Sequence, residues 1–284
     1  MNLDLWTFDV GVKAGSPPGY AEECLRRVEE SWDGGADLVL FPEFCWVGLE
    51  PFVGREHGLR GVSDFFWKTL WPEAQRRLAR AGKAAVLGTV PCWEEGTGRL
   101  YNRAPIIADG RVFHQDKLHL TPWENAFSPG DELRLWKFGG ITIAVIICLD
   151  IEVPELAARL RNKGVDLILV PSATETVLGV ERVDRCASAR AVELGCCTAV
   201  AHLVGRAESD LIDDNVGRTA FYSPSQAAFG DHARVIESAI VGSGFQRLRS
   251  AVDIDALSQL RKAAGETNPS LLRVRDSEIK VRII

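Results

Sequence analysis

Cys148 ends a continuous apolar run, Ile141 to Ile147, and is followed closely by Asp150, Glu152 and Glu155. A thiol set where a buried strand runs out, beside carboxylates, is material for nucleophilic chemistry, because a thiol attacks only once a base has taken its proton. The same position also suits an inert cysteine, which packs as a small hydrophobe. Two other places carry groups that such chemistry could use. Glu43 follows Phe41-Pro42 at the end of the apolar segment Leu38 to Phe41, and the irregular stretch Asp116 to Glu124 gathers Lys117, His119, Trp123 and Glu124. A site loop carries charge, imidazole and indole together in this way, and so does a solvated one. Taken singly, a loop lysine and strand-end carboxylates are ordinary exposed residues.

Each of these groups sits where a structural element should end. Ile141 to Ile147 is rich in β-branched residues without polar alternation, the pattern of a strand covered on both faces, and Leu133 to Phe138 pairs with it across Gly139-Gly140. Leu38 to Phe41 reads as a short buried strand stopped by Pro42, which leaves Glu43 at the carboxyl end, where open α/β sheets bind ligands. Asn102 to Ala108 and Arg111 to Gln115, joined by Asp109-Gly110, predict a hairpin that leads into Lys117. Helices are predicted at Tyr20 to Trp32, with Ser16 and Pro17-Pro18 as start signals, and at Val62 to Ala81, Val153 to Lys163, Val180 to Leu194 and Asp255 to Ala264. Further strands are predicted at Ala84 to Gly88, Asp166 to Val170 with Pro171 as its stop, Cys197 to His202, Thr219 to Ser223 and Ala233 to Ile240. Strands alternating with helices, without repeats or a long linker, predict one α/β domain over residues 1–284.

Composition narrows the partners. A net charge of -6 without a long basic or acidic block favours neither nucleic acid nor an anionic membrane surface, so a small molecule is the expected partner. No stretch reaches the roughly 18 apolar residues of a membrane span, and Met1 to Trp6 lacks the features of a secretory signal, which predicts a cytoplasmic protein. Seven cysteines, an odd number without framework spacing, fit a reducing compartment better than a disulfide scaffold. With no CxxC pair, no HExxH helix, and His114 and His119 as the one close pair among five histidines, no metal site is expected.

Phe41-Pro42-Glu43, then Asp116-Lys117-Leu118-His119-Leu120 with Pro122-Trp123-Glu124, then Ile147-Cys148-Leu149-Asp150 with Pro154-Glu155, resemble in order the three signature blocks of the nitrilase superfamily of carbon–nitrogen hydrolases. Gly88-Thr89-Val90-Pro91, Tyr101-Asn102, Asp109-Gly110-Arg111-Val112, Ser128-Pro129-Gly130-Asp131 and Ala189-Arg190-Ala191-Val192-Glu193 also fall where that family has similar segments, so the resemblance covers most of the chain. It implies a four-layer α-β-β-α sandwich that assembles as a homodimer or larger homo-oligomer, and a hydrolysis that uses no cofactor. It further implies Cys148 as nucleophile, Glu43 as general base, and Lys117 with the backbone N–H of Leu149 as oxyanion donors. Glu124 matches a second glutamate that supports the lysine. A papain-like pairing of Cys148 with His119 is the rival arrangement, and no second helper block accompanies it.

Departures from the family pattern bear on the substrate. Leu149 and Glu152 stand where amidase branches often have an aromatic and an arginine, and Leu149-Asp150 lacks the tryptophan and glutamate that tend to follow the cysteine of true nitrilases. Ala201-His202 replaces a frequent asparagine, and a Gly-Ser block survives only as Gly217 to Pro224. The expected reaction is cleavage of a small carboxamide or N-carbamoyl compound, with nitrile hydrolysis, acyl transfer to an amine and a catalytically silent binding subunit as alternatives. Trp46, Trp123, Glu152, Thr174, Glu175 and Thr176 are the candidate substrate contacts, several of them just beyond strand ends.

Overall fold

The computed structural model describes residues 1–54, 56–230, 235–262 and 282. Two sheets face each other. The first runs in the order Arg247–Ala251, Asn2–Trp6, Leu38–Leu40, Ala84–Val86, Arg99–Ala108 and Val90–Glu94, with Arg111–Asp116 also paired to Arg99–Ala108. The second runs Val235–Glu237, Thr219–Tyr222, Cys197–Arg206, Leu167–Ser172, Ile141–Val145 and Leu135–Phe138, with two short strands added to Cys197–Arg206. Strand alternation sorts the side chains into layers. Leu3, Leu5, Leu38, Leu40 and Val86 meet Ile143, Val145 and Leu167 between the sheets, while Val39, Phe41, Ala85 and Leu87 face outward onto Tyr20, Leu25, Val28 and Trp32 of the helix Pro17–Asp33. On the far side the helix Val177–Leu194 covers the second sheet through Val183, Ala187 and Ala191, completing the four α-β-β-α layers.

Strand direction brings the chemistry to one end of both sheets. Asn2–Trp6, Leu38–Leu40 and Ala84–Val86 are parallel, and Arg111–Asp116 regains that direction through its antiparallel hairpin. Ile141–Val145, Leu167–Ser172 and Cys197–Arg206 are parallel to one another, and Phe8–Asp9, continuing from the first strand of the other sheet, pairs parallel with the end of the last. Glu43, Lys117, Cys148 and Thr174 therefore all follow the carboxyl ends of strands at the same edge of the sandwich.

Local signals explain most elements. Ser16 caps its helix by accepting the Gly19 N–H at 3.2 Å, and Thr176 does the same for Gly179 at 3.1 Å. The helix predicted over 62–81 starts a turn earlier and runs through Gly58–Phe65, the π-helical Phe66–Leu70 and Trp71–Leu78. Pro171 does not end its strand, which continues to Ser172. Pairing with Ile141–Val145 stops at Leu169, so a proline without an N–H costs no ladder bond there. Strands Asn2–Trp6, Val90–Glu94 and Arg247–Ala251 carry no strong local signal, and Pro91 argues against the second, which is tolerated because it lies at the sheet edge. The predicted strand 233–240 reduces to Val235–Glu237, and residues 233–234 and 263–264 of two predicted elements lie outside the described residues. Among the described residues no helix is long and apolar enough to cross a membrane.

The turn that carries Glu43 is pinned from beneath. Trp46 Nε1 and Cys45 Sγ reach the Leu87 carbonyl at 2.7 and 3.4 Å, and the Phe44 N–H donates to Thr89 Oγ1 at 2.9 Å. Between those anchors Gly88 adopts φ +63°, and a Cβ there would lie 2.0 Å from the Pro42 carbonyl oxygen. Gly88→Ala therefore combines a left-handed backbone penalty with an overpacking clash, and should lower stability by about 2–5 kcal/mol. A denaturant midpoint equal to that of the parent would show that this contact does not constrain the turn.

Candidate active site

Glu43, Lys117 and Cys148 converge from three separate strand ends. Lys117 Nζ donates to Glu43 Oε1 at 2.8 Å and to Glu124 Oε2 at 2.7 Å, with the lysine and both carboxylates almost fully buried. Glu43 also accepts the Ala173 N–H on Oε2 at 3.1 Å, and Cys148 is near enough to act on the Glu43 pKa, favouring the charged carboxylate. Cys148 opens the short 3-10 helix Cys148–Glu152 at φ +46°, a left-handed conformation that non-glycine residues seldom adopt. That turn lifts the side chain off the strand axis. Ser172 Oγ donates to Sγ at 3.3 Å, and Sγ lies 3.6 Å from the Ala173 carbonyl oxygen.

Burial and charge pull against each other at this centre. Desolvation raises the Glu43 pKa above its usual 4.5, with Lys117 opposing it and the Glu124 charge reinforcing it. Burial alone would lower the Lys117 pKa, but Glu43, Cys148 and Glu124 together hold the ammonium well above the usual lysine range. The Cys148 thiol is pushed up to about 12, first by desolvation and then by the Glu43 charge. At rest the cluster is thus a neutral thiol facing a carboxylate that is bonded to a fixed cation. Such a set can move one proton from sulfur to oxygen as an electrophile arrives, with a positive charge already in place for an oxyanion.

Two residues complete the centre that motif reading passed over as site residues. Asn102, fully buried on Arg99–Ala108, donates the same Nδ2 to Glu43 Oε1 at 2.9 Å and Glu124 Oε1 at 3.0 Å, tying the two carboxylates together. The signal was present in Tyr101-Asn102, but an amide in a strand has no chemistry until its neighbours are known. Asp150 turns away from the cleft. It accepts the N–H groups of Leu118 and His119 at 3.0 and 2.7 Å and the His119 ring nitrogen at 2.9 Å, so the cysteine turn holds the lysine loop in place. Desolvation raises the Asp150 pKa against those bonds.

The cleft over this cluster has a volume of about 330 Å³, and its walls include Trp123, Leu149, Glu152, Thr174, Glu175 and Thr176. Glu152 pairs with Arg182 across the mouth at 3.1 Å, and Trp123 is 78% exposed at the rim. A wider outer chamber of about 660 Å³ shares Trp123 and Glu175 with it. Trp46 is the exception among the expected contacts. Its indole is buried against Tyr20 and Phe66 and bonded to Leu87, so it anchors the Glu43 turn instead of lining the cleft. His119 is committed to Asp150 and does not line the cleft, which removes the papain-like pairing. Among the described residues no three His, Cys, Asp or Glu side chains are grouped to hold a metal ion.

Known proteins resemble this chain in sequence and in fold. A family model of carbon–nitrogen hydrolases matches residues 11–268. The chain is 33% identical over 259 residues to a Bacillus subtilis (strain 168) protein described as "Probable hydrolase YhcX", covering 86% of this chain and 48% of that one. It thus spans about half the length of that relative. It is 29% identical over 233 residues to a Pseudomonas sp (R)-stereoselective amidase, covering 81% and 77% of the two chains. Among solved structures, Saccharomyces cerevisiae Nit3, a member of branch 10 of the nitrilase superfamily, superposes with a TM-score of 0.72 at 19% identity over 96% of this chain and 97% of its own.

Removing the Asp150 carboxylate strands two backbone donors and uncouples the loops that carry Lys117 and Cys148. Asp150→Ala should lose about 2–4 kcal/mol of stability and slow alkylation of Cys148 by iodoacetamide, with Asp150→Asn, which keeps one carbonyl acceptor, in between. Unchanged stability and alkylation in both variants would mean that the two loops are held by other contacts.

Proposed function

The chain belongs to the carbon–nitrogen hydrolase family, and from that premise we propose that it hydrolyses a small carboxamide or N-carbamoyl compound through a thioester on Cys148. The observation that carries this reading is the Glu43 carboxylate held by the Lys117 ammonium at 2.8 Å and by the Ala173 N–H at 3.1 Å, with Cys148 beside it on the same cleft of about 330 Å³. As Sγ bonds to the amide carbon, its proton passes to Glu43 and the carbonyl π-electrons move onto oxygen. The oxyanion is met by Lys117 and by the Leu149 N–H, the first backbone donor of the turn past the thiol. Collapse of the adduct breaks the carbon–nitrogen bond, and Glu43 returns the proton to the departing nitrogen. Water, deprotonated by the same carboxylate, then opens the thioester to release the acid and regenerate the thiol.

An amide fits better than a nitrile for two reasons. Leu149-Asp150 after the cysteine departs from the nitrilase pattern, and the Pseudomonas relative is an amidase. Nitrile hydrolysis to acid and ammonia is the second reading, since the same thiol, base and cation would serve it.

The test is incubation with a panel of carboxamides, N-carbamoyl compounds and nitriles, following ammonia release and the mass of Cys148. Turnover with an acyl adduct on Cys148 is expected, and Cys148→Ala should lose both signals. Turnover by that variant at the parental rate, or label on Cys45 or Cys197, would overturn the mechanism.

The pH profile is a separate check. Because burial raises the Glu43 pKa, the carboxylate needed for attack is lost as pH falls through a value above 4.5, so the acid limb of the acylation rate lies above the ordinary carboxylate range. With the thiol at about 12, no rise belonging to a free thiol near pH 8–9 is expected. Glu43→Gln should remove the acid limb and slow acylation by about 10²–10⁴-fold. A limb that survives in that variant would assign the base elsewhere.

A further inference from the structure

His202 is fully buried yet takes no part in the chemistry described above. It forms the last register pair of its strand with Ser172, at the point where the chain after Ser172 leaves the sheet to build the cleft wall. Its ring bridges that wall to the helix Val177–Leu194. Nδ1 lies 3.2 Å from Thr174 Oγ1, and Nε2 lies 3.1 Å from Asp184 Oδ1.

The direction of each bond follows from what the partners can do. Thr174 Oγ1 has one proton and lies 3.0 Å from the Val216 carbonyl, which can only accept, so that proton is committed. Nδ1 therefore donates to Thr174. Asp184 can only accept: it takes Arg218 Nε on Oδ2 at 2.7 Å and the Nε2–H on Oδ1, so both ring nitrogens donate, as in an imidazolium. Desolvation would raise the Asp184 pKa, but the bonds from His202 and Arg218 outweigh it and keep the carboxyl below its usual value of 3.8. Beyond Arg218 the charges are Glu237 at 2.8 Å and Glu181 at 3.6 Å, with Tyr222 donating to Glu237. Gly217 closes over the imidazole, where a Cβ would lie 2.2 Å from the His202 Cβ.

What this network holds is the peptide that touches both reacting side chains. Ala173 donates its N–H to Glu43 Oε2 at 3.1 Å, and its carbonyl oxygen lies 3.6 Å from Cys148 Sγ. Thr174 is the next residue, fixed by its hydroxyl and by the Val216 N–H on its carbonyl at 2.9 Å.

We propose that His202 is a positioning residue: its Nδ1–H fixes Thr174, and so sets the Ala173 peptide against Glu43 and Cys148, while Asp184 and Arg218 fix the ring. The proposal rests on the reading of Glu43 and Cys148 as base and nucleophile, yet it can be tested without a substrate. Asparagine places an amide N–H where Nδ1 stands, and glutamine places one near Nε2, so His202→Asn keeps the bond to Thr174 and His202→Gln keeps the bond to Asp184.

The experiment measures the rate constant for alkylation of Cys148 by iodoacetamide in the parent and in the Asn, Gln and Ala variants. Unfolding midpoints are recorded alongside, and alkylation is run well below each of them. Each of Asn and Gln breaks one ring bond, so a purely structural histidine would leave the two variants equally reactive. The proposal expects His202→Asn within about threefold of the parent and His202→Gln and His202→Ala slower by about 10–100-fold, the scale of loss when a reacting group is slightly misplaced. Equal rates for the Asn and Gln variants, or a parental rate for the Ala variant, would overturn it. Alkylation consumes no amide, so failure to find a hydrolysable substrate would leave this result standing, and the reverse holds as well.

Discussion

The structure depends on one buried ammonium held between two buried carboxylates. Lys117, Glu43 and Glu124 are almost wholly withdrawn from solvent, and such groups are costly to bury unless each finds its partner at close range. One cation cannot fully neutralise two anions. Desolvation, reinforced by the Glu124 charge, outweighs the attraction of Lys117 at Glu43, which is pushed toward taking a proton. In the reaction proposed above, the arrangement that satisfies the lysine thereby prepares Glu43 as a base. Asn102 adds the amide donor that makes the close approach of the two carboxylates tolerable.

The fold answers that constraint with alignment and cross-bracing. Two sheets point the carboxyl ends of their parallel strands the same way, so residues far apart in the chain arrive at one edge. Strand ends alone leave turns free to drift, and each turn at this edge is tied to a neighbour. Thr89 and Leu87 hold the Glu43 turn, Asp150 holds the Lys117 loop, and Ala173 bonds Glu43 from the second sheet. Most of these ties join backbone to side chain between separate turns, so they brace the centre without occupying the cleft.

Reading the sequence found the groups that carry charge or a thiol, because Glu43, Lys117, Cys148 and Glu124 stand in recognisable blocks next to predictable strand ends. It passed over the roles of Asn102, Asp150 and His202, whose partners lie 22 to 59, 31 to 32 and 18 to 28 residues away. A buried polar side chain has no readable role until tertiary contacts supply what it bonds. Trp46 shows the converse. An indole near a site residue suggests a ligand wall, but its N–H found a carbonyl in the core and its ring found Tyr20 and Phe66. The strands that escaped notice, Asn2–Trp6, Val90–Glu94 and Arg247–Ala251, are defined by pairing with distant partners more than by their own pattern.

Thiol acidity alone would not single out Cys148. Burial pushes its thiol up to about 12, and Cys197, away from the cleft, is pushed to about 12 as well. Cys45 and Cys196 are also raised, first by desolvation. What differs is the partner. Cys197 has the charges of Asp166 and Asp253 near it, which only strengthen its hold on the proton. Cys148 faces a carboxylate raised toward protonation, a lysine that stays charged throughout, and an open cleft. In the proposed reaction the proton leaving sulfur goes to Glu43, and the charge carried onto an attacked carbonyl is met by Lys117. On that reading the thiol is quiet until an electrophile of the right shape sits over it, because its reactivity arises from proton transfer in place and not from a standing thiolate.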